Sequence, residues 1–252
     1  MSAPLLDVEG LSVHFGLFQA VKGASFALDR GETLGLVGES GAGKSTLARA
    51  IMRLVQAQGR LRFDGQDLLA LAPARLRALR RDFQMVFQSP LGSLNPRLSV
   101  RAAVSEPLEL FEPDLDRQAR ARKVAEMLER VGLQAGVAAR YPHEFSGGQC
   151  QRIAIARAMI ARPKLLVCDE PVSSLDVSIQ GQIVNLLKEL QEDTHMAMLF
   201  ISHNLAVVRQ ISHRILVMQQ GEIVESGECH RLLSSPQHPY TQRLLLAVPQ
   251  MP

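Results

Sequence analysis

The segment that most limits the fold of this chain is a glycine-rich stretch between an apolar strand and a helix. Thr33–Val37 (TLGLV) is almost entirely apolar, as in a strand that is buried on both faces. The glycine-rich segment Gly38–Thr46 (GESGAGKST) follows, and Leu47, Ile51 and Leu54 then recur at helical spacing. A strand, a glycine-rich loop and a helix in this order are typical of an α/β protein with a phosphate-binding loop.

The glycine-rich stretch matches the pattern G-x-x-x-x-G-K-[ST]. Glycines allow backbone amides to turn toward phosphate oxygens, and the positive end of the following helix favours the same anion. Lys44 offers a charge to the β- and γ-phosphates, and the Ser45 hydroxyl suits Mg²⁺. The residues predicted to bind the nucleotide here are Gly38, Glu39, Ser40, Gly41, Ala42, Gly43, Lys44, Ser45 and Thr46.

Two adjacent carboxylates end another apolar segment. Leu165–Glu170 (LLVCDE) predicts a buried strand that ends at Asp169 and Glu170. Asp169 suits the coordination of Mg²⁺ through water, and Glu170 suits the role of base or orienting group for an attacking water. An apolar run before two carboxylates is common and by itself indicates little. The phosphate-binding loop upstream is the reason to assign this pair to nucleotide chemistry.

A third segment, Phe145–Arg152 (FSGGQCQR), predicts a capped helix start. Ser146 is a favourable N-cap residue, and Gly147 and Gly148 permit close backbone approach. The segment is therefore a second candidate for anion binding at a helix N-terminus. On these residues alone, a plain capped helix explains it equally well.

The rest of the chain alternates strands and helices, which predicts a mostly parallel sheet. Near the N-terminus, Leu5–Phe15 and Val21–Leu28 alternate apolar and polar residues as half-buried strands do. From Leu91 to about Ala161 the helical period dominates, which predicts an inserted helical subdomain. Later strands are predicted at Lys164–Pro171, Met196–Ser202, Arg214–Gln219 and Glu222–Gly227, and later helices at Gln151–Ala161, Ser178–Gln191 and Leu205–Ile211.

Composition excludes several classes of protein. Hydrophobic residues make up 46% of the 252-residue chain, and charged residues 21%, which is typical of a globular protein rather than a disordered one. The longest apolar runs are far shorter than a membrane span, and the start of the chain predicts no secretory signal. Cys150, Cys168 and Cys229 form no CxxC pair, which favours a reducing cytosol. The net charge of +3 is mild, so no nucleic-acid partner is expected.

In this order and spacing, Gly38–Thr46, FSGGQ and LLVCDEP resemble the nucleotide-binding subunits of ABC (ATP-binding cassette) transporters over the whole chain. The resemblance implies an α/β fold of the P-loop NTPase ABC cassette type, with a mostly parallel sheet core, an N-terminal antiparallel β subdomain and an inserted helical subdomain. A single domain over residues 1–252 is expected. Its parts would be a core at about 1–88 and 162–234, a helical subdomain at about 89–161 and a short C-terminal segment at 235–252.

The same resemblance assigns roles to residues. FSGGQ is similar to the family's signature motif, with Phe145 in place of the usual leucine, so Ser146, Gly147, Gly148 and Gln149 are expected to contact a nucleotide. LSVHFG resembles the A-loop, which makes Phe15 the candidate for stacking on adenine; Phe18 is an alternative, and Phe15 could instead belong to the core. The implied catalytic residues are Glu170, His203, Lys44 and Gln88, and the implied Mg²⁺ ligands are Ser45, Gln88 and Asp169.

Partners follow from the resemblance as well. In the family, two ATPase subunits pack head to tail, and each ATP lies between the phosphate-binding loop of one and the signature motif of the other. Gln88–Arg97, Cys168–Leu187 and Ser235–Pro249 resemble the oligopeptide, dipeptide and nickel importer branch, in which this chain is most similar to the second ATPase. That branch implies a sister ATPase in a heterodimer, two permeases, an indirect link to a substrate-binding protein, and a place on the cytoplasmic face of the bacterial inner membrane. No cysteine follows Cys229, so no iron–sulfur cluster is expected.

Three other functions compete with the importer hypothesis. A soluble ABC ATPase of DNA repair or translation typically has a long coiled-coil insertion or two cassettes, whereas one cassette fills this chain. A non-catalytic nucleic-acid binder leaves the phosphate-binding loop, the signature motif and the carboxylate pair unexplained. A P-loop kinase for a small molecule gives no reason for SGGQ.

Overall fold

The computed structural model describes residues 3–246, which belong to two compact units. The described part of the first unit comprises residues 3–76 and 195–246, and the second unit comprises Arg77–Thr194. Residues 247–252, which include the end of the predicted C-terminal segment 235–252, lie outside the described residues. The domain boundaries expected from the sequence stay a prediction.

The elements alternate along the chain as predicted. The strands are β1 (Leu6–Phe15), β2 (Phe18–Leu28), β3 (Thr33–Val37), β4 (Gln58–Phe63), β5 (Gln66–Asp67), β6 (Phe83–Val86), β7 (Leu165–Asp169), β8 (Ala197–Ser202), β9 (Arg214–Gln219) and β10 (Glu222–Glu228). The α-helices are α1 (Lys44–Ile51), α2 (Pro73–Leu79), α3 (Pro90–Ser93), α4 (Val100–Phe111), α5 (Arg117–Arg130), α6 (Gly147–Met159), α7 (Val177–Thr194), α8 (Leu205–Ile211), α9 (Cys229–Ser234) and α10 (Pro239–Leu246). Short 3₁₀ helices occupy Ala135–Ala139 and Pro142–Glu144.

The first unit contains an antiparallel sheet with the strand order β2-β1-β4-β5. The alternating residues Leu6, Val8, Leu61 and Phe63 are buried, which explains why the sequence alternates there. This sheet is the antiparallel β subdomain that the resemblance implied.

The first unit also contains a parallel group of strands with β3 at its centre. β3 pairs in parallel with both β8 and β9, and β10 pairs antiparallel to β9. Every residue of β3 and of β8 is buried, which agrees with their continuous apolar sequences. Parallel strands end at the same edge of a sheet, so the segments that follow β3 and β8 emerge side by side.

The close packing of helix α8 on β3 gives a test of this core. A Cβ atom added at Gly35 would lie 2.4 Å from Val208 Cγ1 and 2.6 Å from Ser212 Oγ. We expect Gly35→Ala to lower the free energy of unfolding by about 1–3 kcal/mol, since overpacking forces neighbours to move. Urea unfolding of the full chain measures this change.

Gly181 in α7 is the matched control for this substitution. An added Cβ there would have no neighbour within 4 Å. Gly181→Ala should raise the free energy of unfolding by about 0.5–1 kcal/mol, because alanine loses less conformational entropy in a helix. Equal stability of Gly35→Ala and the wild type would contradict the packing of α8 on β3.

The second unit combines a parallel strand pair with a group of helices. β6 and β7 pair in parallel, and α4, α5 and α6 pack against one another. Helix α6 begins at Gly147, directly after the predicted N-cap Ser146 and four residues before the apolar stretch that starts at Gln151. The capping box of Ser146 and Gln149 includes both glycines in the first turn. Within residues 3–246, no helix combines the length and apolar character that crossing a membrane requires.

Candidate functional site

The loop between β3 and α1 is built on glycine conformations. Gly38, Gly41 and Gly43 have φ values of +156°, +82° and +101°, which side chains with a Cβ rarely adopt. Lys44 is buried, and its Nζ donates to the carbonyl oxygens of Gly38 at 2.8 Å and Glu39 at 2.9 Å. The loop therefore folds around its own lysine at the N-terminus of α1.

Close packing holds this loop in place. A Cβ on Gly43 would lie 2.5 Å from the Ala20 carbonyl oxygen, and one on Gly38 would lie 2.2 Å from that of Met218. The Gly221 amide, in the turn between β9 and β10, donates to the Ala42 carbonyl at 2.9 Å. Glycine alone therefore fits at positions 38 and 43. The loop has the shape that an anion-binding cradle of backbone amides requires.

Helix α10 makes a further contact with the loop. The Glu39 amide donates to the hydroxyl oxygen of Tyr240 at 2.9 Å. Tyr240 is buried, and this burial raises the pKa of its hydroxyl. Tyr240 lies outside the motifs that predict the site residues. It belongs to Ser235–Pro249, whose resemblance to the importer branch is the one sequence signal that points to this segment.

His203 follows β8 at the same edge of the first unit as the phosphate-binding loop. Val37 and Ser202 are register partners in the parallel pair of β3 and β8, so Gly38 and His203 follow directly after paired residues. His203 is exposed, and Asn204 next to it caps α8 by accepting from the Ala206 amide at 3.0 Å. Ligands of α/β proteins bind at this carboxyl edge of the strands.

In the second unit, the structure brings together Gln88 and Glu170. Val86 and Cys168 are register partners in the parallel pair of β6 and β7, and each predicted site residue follows two positions later. Gln88 Nε2 lies 3.2 Å from Glu170 Oε2, to which it donates, and 3.5 Å from Ser173 Oγ. The structure therefore brings an amide and a carboxylate together at the ends of two strands, a contact that the sequence did not predict.

The carboxylate pair ends β7 as the sequence predicts. Asp169 is its last residue and is buried, while Glu170 has a φ of +48°. This left-handed conformation is uncommon for a residue with a side chain, and it turns the chain sharply after Asp169. Burial, together with the neighbouring Asp169 charge, raises the pKa of the Cys168 thiol, which makes Cys168 an inert core residue.

The signature-like segment forms a closed helix start in the second unit. Gln149 donates its amide to Ser146 Oγ at 3.4 Å, and Ser146 donates its amide to Gln149 Oε1 at 3.0 Å. A Cβ on Gly148 would lie 2.6 Å from Ile179 Cγ2, so this glycine is required for the packing of α6 on α7. The predicted N-cap role of Ser146 is confirmed.

Phe15 and Phe18 are register partners at the turn between β1 and β2. Their exposed fractions are 52% and 66%, so the alternative that Phe15 is a core residue is wrong. Both rings are exposed because they lie at the turn of the hairpin, where the two strands do not cover them. Both phenylalanines stay candidates for adenine stacking.

The donor atoms proposed for Mg²⁺ have suitable chemistry. The Ser45 hydroxyl, the Gln88 amide oxygen and the Asp169 carboxylate are the hard oxygen ligands that Mg²⁺ prefers. Residues 3–246 contain no group of three or more His, Cys, Asp and Glu side chains that could hold a metal. Mg²⁺ beside a nucleotide needs no such cage, since phosphates and waters supply most of its ligands.

Comparison with known sequences places this arrangement among related proteins. A family model described as ABC transporter matches residues 21–173. The chain is 50% identical over 259 residues to the oligopeptide transport ATP-binding protein OppF of Escherichia coli K12, which covers 97% of this chain and 78% of that protein. It is 51% identical over 258 residues to the glutathione import ATP-binding protein GsiA of Salmonella typhi, covering 98% of this chain and 41% of that protein.

Solved structures agree with the sequence comparison. A dimeric post-hydrolysis state of the ATP-binding cassette MJ0796 bound to ADP and Pi superposes with a TM-score of 0.81 at 27% identity, covering 89% of this chain and 98% of that one. CbiO1 from Clostridium perfringens, part of the ABC transporter complex CbiONQ, superposes with a TM-score of 0.83 at 25% identity, covering 99% and 97%. The chain therefore belongs to the ABC transporter family and has the α/β fold of its ATP-binding cassettes.

Proposed function

We propose that this chain is the ATP-hydrolysing motor subunit of an importer for peptides or a related small solute. The observation that carries the proposal is the glycine-rich loop that folds around Lys44. The chain that contains this loop has 50% sequence identity to OppF. The reaction is transfer of the γ-phosphoryl group of ATP to water, which depends mostly on positioning and electrostatic stabilisation.

The phosphate-binding loop supplies the nucleotide affinity in this proposal. Its backbone amides and the Lys44 ammonium bind the β- and γ-phosphates, and the N-terminus of α1 adds its positive end. Phe15, exposed at the end of β1, stacks on the adenine ring. Ser45, Asp169 and Gln88 would hold Mg²⁺, which would neutralise charge on the phosphate oxygens.

Glu170 acts as the general base. The oxygen of the attacking water forms a bond to the γ-phosphorus, the bond from that phosphorus to the bridging oxygen of ADP breaks, and Glu170 accepts the proton of the water. Gln88 Nε2, at 3.2 Å from Glu170 Oε2, orients the carboxylate. Because the amide nitrogen is used in this way, the amide oxygen of Gln88 is the atom left for Mg²⁺. His203 stabilises charge on the γ-phosphate.

The chain acts with partners in this proposal. It packs head to tail with a sister ATPase in a heterodimer, so that Ser146, Gly147, Gly148 and Gln149 serve the nucleotide held by the sister subunit. ATP closes the dimer and hydrolysis opens it, which shifts the conformational populations of two permeases. A substrate-binding protein delivers the solute, and the complex lies in the bacterial inner membrane with the ATPases on its cytoplasmic face.

A tagged pull-down from detergent-solubilised membranes tests this function. We expect two permease-like proteins and a sister ATPase to co-purify with Mg²⁺-dependent release of free phosphate. A chain that remains soluble and brings down ribosomes or nucleic acid would replace the importer with a soluble ABC ATPase. Phosphate transfer to an added acceptor, without release of free phosphate, would instead indicate a kinase.

A further inference from the structure

Helix α10 reaches the phosphate-binding loop through one side chain. The Glu39 amide donates to the Tyr240 hydroxyl oxygen at 2.9 Å, although the two residues are 201 positions apart. Only 2% of Tyr240 is exposed, so its ring is locked within the first unit. The hydrolysis mechanism proposed above uses neither Tyr240 nor α10.

The Glu39 amide lies just beyond the end of the strand ladder. Val37 is the last residue of β3 with register partners, Ser202 on β8 and Val217 on β9. Gly38 then turns the chain with a φ of +156°. An N–H group beyond the ladder has no strand partner, and the Tyr240 hydroxyl oxygen is the acceptor for this one.

The same peptide group also binds the phosphate-binding lysine. The peptide between Gly38 and Glu39 donates its N–H to Tyr240, and its carbonyl oxygen accepts from Lys44 Nζ at 2.8 Å. A peptide group is planar and rigid, so a rotation at one end moves the other. Tyr240 is therefore linked to the Lys44 ammonium through a single rigid group.

The position of Tyr240 is itself fixed by neighbouring hydrogen bonds. Glu225 on β10 accepts from the amides of Gln237 at 2.8 Å and His238 at 3.1 Å, which holds the start of the segment. His238 Nδ1 accepts from the Tyr240 amide at 3.2 Å. The tyrosine ring thus enters the loop from a well-anchored helix.

We propose that Tyr240 is a positioning residue for nucleotide binding, which holds the peptide between Gly38 and Glu39 so that Lys44 stays directed to the phosphates. The inference rests on the proposed function, in that the loop binds ATP. In the proposed function Lys44 contributes to the affinity for the phosphates, so a displaced Lys44 should first weaken nucleotide binding. An interaction that is equally strong with the bound substrate and with the transition state changes affinity rather than turnover.

Tyr240→Phe tests this inference, because it removes the hydroxyl and keeps the ring. On the full chain, we expect the Kd for MgADP by calorimetry and the KM for ATP to rise about three- to ten-fold, as for the loss of one hydrogen bond. The kcat should stay within about two-fold. A merely structural role would lower the folded fraction and the apparent kcat, and would leave KM unchanged.

Two further variants separate the possible outcomes. Tyr141→Phe removes the same hydroxyl from an exposed tyrosine of the second unit and should leave the Kd unchanged. A wild-type Kd in Tyr240→Phe, or an equal rise in Tyr141→Phe, overturns the positioning role. Lys44→Ala should abolish binding; if it binds as the wild type does, or if the wild type binds no nucleotide, the proposed function fails together with this inference.

Discussion

Glu170→Gln is expected to lower the rate of ATP hydrolysis by roughly a hundred- to ten-thousand-fold, which is the usual contribution of a general base. The amide cannot accept the proton of the attacking water. Its oxygen can still accept the hydrogen bond from Gln88 Nε2, now 3.2 Å from the carboxylate, so the geometry should persist. Phosphate release by the assembled complex measures the rate, and a filter assay measures bound ATP.

The expected pattern for this variant is lost turnover with retained ATP binding. Glu189→Gln is the matched control, since Glu189 is an exposed glutamate on α7 of the same unit. Turnover in Glu170→Gln that equals the wild-type value would remove Glu170 from the mechanism. Loss of ATP binding along with turnover would indicate that the carboxylate has a structural role instead.

Gly43→Ala should abolish nucleotide binding by distorting the phosphate-binding loop. The φ of +101° at this position is strained for alanine, and the new Cβ would lie 2.5 Å from the Ala20 carbonyl oxygen. The Ala20 carbonyl belongs to the backbone and cannot move aside as the end of a flexible side chain can. The start of α1 must therefore shift. We expect the affinity for MgATP to fall by at least about a hundred-fold, since several phosphate contacts depend on this turn.

Gly65→Ala is the control that separates the effect of backbone strain from that of the contact with the Ala20 carbonyl oxygen. Gly65 has a similar positive φ of +76° in the turn between β4 and β5, yet an added Cβ would have no neighbour within 4 Å. This variant should lose about 1 kcal/mol of stability and keep its affinity for nucleotide. Normal binding by Gly43→Ala would show that the loop tolerates a side chain where the structure leaves no space.

Much of the fold could be predicted because local patterns decided it. The predicted helix Leu205–Ile211 and strand Arg214–Gln219 have the observed bounds, since apolar runs between polar segments have sharp ends. Helix α6 begins at Gly147, as the N-cap prediction at Ser146 requires, although its apolar sequence begins only at Gln151. Glycines lower helix propensity, and the capping box of Ser146 and Gln149 stabilises that first turn. Low helix propensity and N-terminal capping act in opposite directions here, and in the structure the capping box prevails.

The site was predictable to the extent that its residues lie in motifs. Lys44 and His203 follow the apolar strands β3 and β8 of the first unit, and Asp169 and Glu170 stand at the end of the apolar strand β7 of the second unit. Their residue types already indicated phosphate and metal chemistry. The roles assigned to them are proposals, of which Lys44→Ala and Glu170→Gln test two.

By itself, the sequence determined the order of strands and helices, the phosphate-binding loop and the family, because these depend on neighbouring residues. Only the tertiary structure decided which distant groups meet. Gln88 and Glu170 are 82 positions apart, and Glu39 and Tyr240 are 201 apart. A hydrogen bond depends on a few tenths of an ångström, which strand register and helix packing set and which no local pattern specifies.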